Sequence, residues 1–238
     1  MPQIRDYIAT HPEQHIKDHE AKLNWLRAGV LGANDGIVSI AGLVVGVAGA
    51  THSLGVIATA GVAGIIAGAI SMAAGEYISV SSSRDTEKAL LEKERFELRH
   101  YPKEELEELA IIYERKGLSR KTAILVAKEL TAHDAETAHF DAELGINPHN
   151  LTNPWHAAFA SALSFLVGAL IPLIIILILP VTFRIPLTFI SVLVALAITG
   201  TVSAKMGGAN IAKATIRVVL GGALAMAVTY GIGNFFHI

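Results

Sequence analysis

The residues able to do chemistry in this chain fall into two groups with different surroundings. The first centres on Asp35, a lone carboxylate within the apolar run Trp25 to Gly49, WLRAGVLGANDGIVSIAGLVVGVAG. Asp35 follows Arg27 by eight residues; at ~1.5 Å of helical rise per residue, that places it roughly 12 Å into a hydrocarbon layer about 30 Å thick. An acid at such depth costs at least ~2.5 kcal/mol on insertion scales, so its default meaning is a site on an ion or proton path. The alternative is a carboxylate that caps a helix break at Asn34-Asp35-Gly36, with Gly36 supplying backbone freedom. In a second apolar run Glu76 precedes Arg84 by eight residues, so in an antiparallel hairpin it should lie at the depth of Asp35. Met72 is one turn deeper on the same face, where its thioether either packs or offers a soft ligand beside hard carboxylates.

The second group occupies a polar stretch, 84–150. Glu94 and Glu97 are three apart, as are Glu105 and Glu108, while Glu136, His139 and Glu143 share a face at spacings of three and four. Carboxylates and imidazole without thiolate suit divalent ions such as Mn2+, Fe2+ or Zn2+. Any one pair reads better as a solvated face balanced by Lys93, Lys103, Arg115 and Lys128, but three helices each offering a spaced set point to a metal. Two E-x-x-H strings, Glu97 to His100 and Glu136 to His139, resemble the ligand pairs of ferritin-like di-iron bundles. They open an enzymatic alternative, a membrane-tethered di-iron ferroxidase or storage protein, although such a bundle needs four helices and this stretch has three short ones. Near the N-terminus His11, His15 and His19 recur at four-residue spacing. His15 and His19 are a metal pair or the solvated side of an interfacial amphipathic helix.

The elements that must position these groups follow from composition. The chain has 238 residues, 52% hydrophobic and 17% charged, with a mean hydropathy of +0.49, which is too apolar for a soluble domain of this size. Five stretches are long and apolar enough to span a bilayer: about 28–50, 54–80, 155–180, 187–206 and 214–236. The reading is an all-α membrane protein of five transmembrane helices with a three-helix cytoplasmic insert between the second and third. Its parts are an N-terminal segment (1–27), the first two spans (28–83), the insert (84–150) and the last three spans (151–238). Within the insert, Pro102 can seat a second helix, Gly117 ends it, Ser119 caps a third, and Gly145 stops that one.

Charge sets the orientation. Arg5, Lys17, Lys22 and Arg27 precede the first span and Lys205, Lys213 and Arg217 surround the link between the fourth and fifth, whereas Thr51-His52-Ser53 has no Lys or Arg and the third-to-fourth link has only Arg184. By the positive-inside rule the N-terminus and insert are cytoplasmic. The net charge of −2 offers no surface for nucleic acid, and the absence of cysteine removes disulfides and thiolate chemistry. Gly42-Gly46, Ala60-Gly64-Gly68 and Gly221-Ala225 are small residues four apart that permit close approach of helix backbones, and as a set they suggest tight packing between subunits.

Together, WLRAGVLGANDGIVS, GAISMAAGEYISV, the acidic helical insert and the P-W-H-A-A start of the third span resemble the vacuolar iron transporter family, its bacterial branch in particular. The resemblance implies a five-span homodimer, not an enzyme, that exchanges Fe2+ and often Mn2+ for protons without a prosthetic group and moves metal out of the cytoplasm. It implies that Asp35 and Met72 form the membrane site, to which the matching depth of Glu76 adds a further candidate on the path. It also implies that Glu94, Glu97, Glu105, Glu108 and Glu143 match the carboxylate ligands of a cytoplasmic metal-binding domain. The third insert helix departs from the pattern: methionines are expected before the last Glu, and His139 and Phe140 stand there. For a compact chain of the bacterial type, the plasma membrane is the expected location. No phosphate-binding glycine loop is present, so protons are the expected driving currency.

Overall fold

The structure, a computed structural model, describes residues 16–148 and 151–236, with side chains from Gly29 onward. His11 and His15, and the side chain of His19, lie outside the described residues. These contain seven α-helices, one π-helical turn and no strand. The helices are α1 (Ile16–Ala50), α2 (Leu54–His100), α3 (Pro102–Arg115), α4 (Arg120–His139), α5 (Pro154–Ile178), α6 (Val181–Met206) and α7 (Ile211–Phe235), and the π turn is Phe140–Leu144. Five of them, α1, α2, α5, α6 and α7, carry windows long and apolar enough to cross a membrane. The chain divides into two compact units, one of residues 1–77 and 154–238, the other Ile78–Asn153.

In the first unit α1 is the central helix. Ile40, Val44, Val45 and Ala48 recur at helical spacing and pack with Ile57, Ile65 and Ala69 of α2 and with Phe165, Ala169, Leu173 and Ile176 of α5. Ile37 and Ala41 point elsewhere, joining Val192 and Leu196 of α6 and Met226 of α7. The outward faces stay apolar too, as at Ile174, Ile178, Leu220 and Leu224, which is what a helix facing lipid requires.

The sequence Asn34-Asp35-Gly36 does not break α1, which runs through it. Gly36 is there for room: a Cβ on it would strike the backbone of Phe165, and one on Gly168 of α5 would strike the backbone of Ala33. The two helices thus cross with main chain against main chain beside the carboxylate. Gly42 and Gly46 face Thr229 of α7, and Gly64 and Gly68 of α2 face Leu43 and Phe165, so this spacing serves packing inside one chain. Arg184, counted in the sequence only as a loop charge, is buried at the start of α6 and donates from Nη1 to the carbonyl of His52 at 3.4 Å.

In the second unit the last turns of α2 run with α3, α4 and the π turn. Pro102 occupies the first turn of α3, where its missing N–H costs nothing, and Ser119 accepts from the Thr122 N–H to cap α4. Gly117 and Gly145 take positive φ (103° and 63°) and end α3 and the π turn. Leu109, Ala110 and Ala127 make a small core with Leu106, Ile124, Ala138 and Ala142 around it. α4 is interrupted at Asp134, whose backbone is extended (φ −161°, ψ 97°) and whose carboxylate caps the restarted helix by accepting from the N–H and hydroxyl of Thr137.

Candidate functional site

Each unit assembles a group of ligand-type side chains. In the membrane-type unit, an open cavity of about 580 Å³ is lined by Asn34 and Asp35 of α1, Met72 of α2 and Arg217 of α7, with Leu31, Val38 and Val218 as apolar wall. The unbroken α1 presents Asp35 here, and its Oδ1 accepts a hydrogen bond from Ser39 Oγ one turn on, at 2.7 Å. The buried Oδ1 of Asn34 has no hydrogen-bond partner. Met72 also packs against the core cluster around Phe165. Glu76, half-buried on α2, does not line the cavity.

Asp35, Asn34 and Met72 together bring a carboxylate, an amide and a thioether-bearing side chain to one cavity, with neither the three thiolates nor the ring of oxygens that would hold a cation tightly. Asn34 and Arg217 were not marked by the sequence reading. Asn34 was legible as a second polar group in the same apolar run, and Arg217 as a charge one turn before Gly221 on a membrane helix.

In the second unit, Glu94 of α2, Glu105 of α3, His139 at the end of α4 and Glu143 of the π turn each offer one ligand atom, all within 4.8 Å of one another. Nδ1 of His139 lies 3.0 Å from Glu94 Oε1, 3.6 Å from Glu105 Oε2 and 3.8 Å from Glu143 Oε2. Glu94, Glu105 and His139 are buried, at 2%, 6% and 0% exposed, whereas Glu143 is more open. Both ring nitrogens of His139 and Oε1 of Glu94 are buried without an aligned hydrogen-bond partner. Such groups are costly unless something satisfies them, and one divalent cation would satisfy all of them at once.

The electrostatics agree. Burial, then the charges of Glu143 and Glu105, push the Glu94 carboxyl up to about 8, so at neutral pH it holds a proton that it donates to Glu143. Burial also raises Glu105 and Glu143, with Glu108 adding to both through its charge. His139 is shifted down by burial, which keeps the imidazole neutral and its lone pair available.

The other residues marked in the sequence sit elsewhere. Glu97 pairs with Lys93 at 3.0 Å, and Glu136 with Arg95 at 2.9 Å. Arg95 also lies over the Phe140 ring. Glu108 is outside the cluster and acts on it only through its charge. His100 stacks on Phe96. The two E-x-x-H strings therefore do not converge: one contributes only its His, the other neither member.

The VIT family model matches residues 26–234. The chain belongs to the VIT family. Among its relatives is a vacuolar iron transporter of Acanthamoeba castellanii, 43% identical over 97% of this chain and 87% of the relative. Vacuolar iron transporter homolog 2.1 of Arabidopsis thaliana is 32% identical over 94% and 86%, and vacuolar iron transporter homolog 1 of Oryza sativa subsp. japonica is 35% identical over 92% and 77%. VIT-family membership and the five apolar helices make this an integral membrane protein, and its relatives are named as transporters of metal rather than as enzymes.

Proposed function

We propose that this VIT-family chain is a proton-coupled exporter of divalent metal, Fe2+ with or without Mn2+, that collects its cargo on the acidic insert and passes it through the Asp35–Met72 cavity. The observation that carries the reading is the convergence of Asp35, Asn34 and Met72 on one cavity among membrane-type helices. The names of the relatives support iron as cargo. Lys and Arg at the ends of the spans support a cytoplasmic N-terminus and insert. Export from the cytoplasm has the same direction across a plasma membrane or a vacuolar one, so the same machinery serves either.

The proton coupling rests on charge movement. Carrying a divalent cation outward against about 100 mV, negative inside, costs roughly 4.6 kcal/mol, twice the ~2.3 kcal/mol for one elementary charge. Two protons entering per metal cancel that electrical cost, and a single carboxylate that metal and protons must share couples the two flows. We further propose a homodimer as the working form. In proteoliposomes loaded with a pH-sensitive dye, an opposing pH gradient should accelerate Fe2+ or Mn2+ movement, and metal movement should shift the pH on the far side. Flux indifferent to the gradient, with no counter-moving protons, would make the protein a passive channel.

A further inference from the structure

The cavity of Asp35 holds a second charge that the passage of a cation does not by itself call for. Arg217 of α7 lines it together with Asp35, Asn34 and Met72. A guanidinium keeps its proton in proteins, so an arriving cation meets a fixed positive charge on one wall and a carboxylate on another. The ordinary partner of a charge among membrane helices is an opposite charge on a facing helix.

The packing of α1 against α7 gives the relative level of the two groups. A Cβ on Gly222 would meet Val38, one on Gly42 would meet Thr229, and one on Gly233 would strike the carbonyl of Gly46, so the helices run side by side in one direction. Asp35 precedes Val38 by three residues and Arg217 precedes Gly222 by five. At ~1.5 Å of rise per residue, their backbones differ in level by only about 3 Å. One turn beyond Arg217, Gly221 also lines the cavity, and a Cβ there would have no neighbour within 4 Å, so α7 leaves this space open. Asp35 takes its hydrogen bond from Ser39 at 2.7 Å, and Arg217 is exposed, so the long side chain has room to approach the carboxylate or leave it.

We propose that Arg217 is a tethered competitor of the transported metal: it neutralises Asp35 in the empty cavity, yields to a divalent cation, and shortens that cation's stay. This rests on the reading of the Asp35 cavity as the metal path and adds a residue that sets its affinity and its charge selectivity. With Asp35 ionised, the empty cavity is neutral. A divalent ion brings two uncompensated positive charges to it, against one if Arg217 were uncharged, so the guanidinium opposes retention and favours release. A monovalent cation gains no more from the carboxylate than the guanidinium already does, whereas a divalent one is attracted twice as strongly. The competitor thus admits divalent ions and turns monovalent ones away. An arginine that merely anchored α7 at the interface would affect neither property.

The test compares initial rates of Mn2+ transport in proteoliposomes over a range of Mn2+ for the full-length chain and for Arg217→Gln, Arg217→Lys and Asp35→Asn. The insert is the same in all four, so differences in KM report the cavity. Arg217→Gln should lower KM by at least about tenfold and lower the maximal rate as well, because metal held more tightly leaves more slowly. At constant ionic strength, exchanging a bulky organic cation for K+ at about 0.1 M should inhibit Arg217→Gln and leave the parent chain unaffected. Arg217→Lys keeps the charge and should restore the parent KM and the indifference to K+. Arg217→Leu, an uncharged side chain suited to an apolar wall, should behave as Arg217→Gln does and replaces it if the glutamine variant does not fold. A KM unchanged or raised in the uncharged variants would overturn the role of Arg217, and a loss of rate at constant KM would make it an anchor. Parent-rate transport by Asp35→Asn would instead overturn the path on which the role depends.

Discussion

The membrane cavity and the insert cluster contain some of the same donor types in opposite arrangements. The cavity sets one carboxylate, one thioether, one amide and one guanidinium around about 580 Å³, room for on the order of twenty waters at ~30 Å³ each. The cluster packs three carboxylates and an imidazole within 4.8 Å and buries most of them. A path must bind its ion well enough to admit it and weakly enough to release it. A collecting site needs the reverse, several mutually repelling acids that only a cation relieves. If the proposed function holds, the difference teaches that donor number and spacing, more than donor type, separate passage from capture.

The comparison breaks most sharply at Asp35. Asp35→Asn keeps the shape and removes the one carboxylate of the cavity, so metal flux in proteoliposomes should fall to the empty-liposome level while metal binding by the insert is unchanged. Flux at the wild-type rate would show that the cavity is not the path. Next in size is Glu94→Gln with Glu105→Gln, expected to weaken insert binding on the order of 10- to 100-fold. Flux at saturating metal should hardly change, and an equal collapse of flux would mean that capture and passage are one step.

A smaller effect comes from acidity. Because Glu94 titrates near 8 and metal binds the ionised form, insert affinity should rise with pH up to about 8 and then level off. The sign reverses for the empty protein. A carboxyl raised from its ordinary 4.5 stabilises the fold fully below that value, and the contribution is lost as pH climbs through about 8. The metal-free protein should therefore melt at a higher temperature at pH 5 than at pH 9, and Co2+ should narrow the gap. Glu94→Gln should flatten both profiles; if they persist, the titrating group lies elsewhere. The least effect is expected from Glu97→Gln and Glu136→Gln, which break partly exposed ion pairs outside the cluster and should alter Co2+ affinity by less than about threefold.

Much of the fold could be read from hydropathy, because a bilayer imposes span length and apolar composition so strictly that the five membrane-type helices announce themselves. Pro102, Gly117, Ser119 and Gly145 likewise mark helix ends through local backbone chemistry. The cluster was legible only as a surplus. Helical spacing offers Glu97 and Glu108 as readily as Glu94 and Glu105, and only tertiary packing turns one of each pair inward. Glu136 shares the restarted helix with His139, and its pairing with Arg95 is a tertiary contact that helical spacing does not foretell; the π turn beyond His139 changes only the angle at which Glu143 follows. At Gly36 the sequence offered backbone freedom at a helix break, whereas the helix runs through and the missing Cβ makes room for the backbone of Phe165.

The π turn also constrains how this chain can change in length. Phe140–Leu144 is wound wider than the helix before it and ends at Gly145, so the residues from Asp134 onward hold a fixed angular phase. Deleting one residue there, Ala142 for instance, would let the turn rewind as α-helix and swing Glu143 by about 100° away from the imidazole. A residue inserted at Lys116, in the exposed turn between α3 and α4, would disturb no such relation. Natural variation in length should thus collect at that turn and spare the ten residues after the break. Two variants, one with a residue added at Lys116 and one with Ala142 removed, should separate in Co2+ affinity, the first near wild type and the second lost.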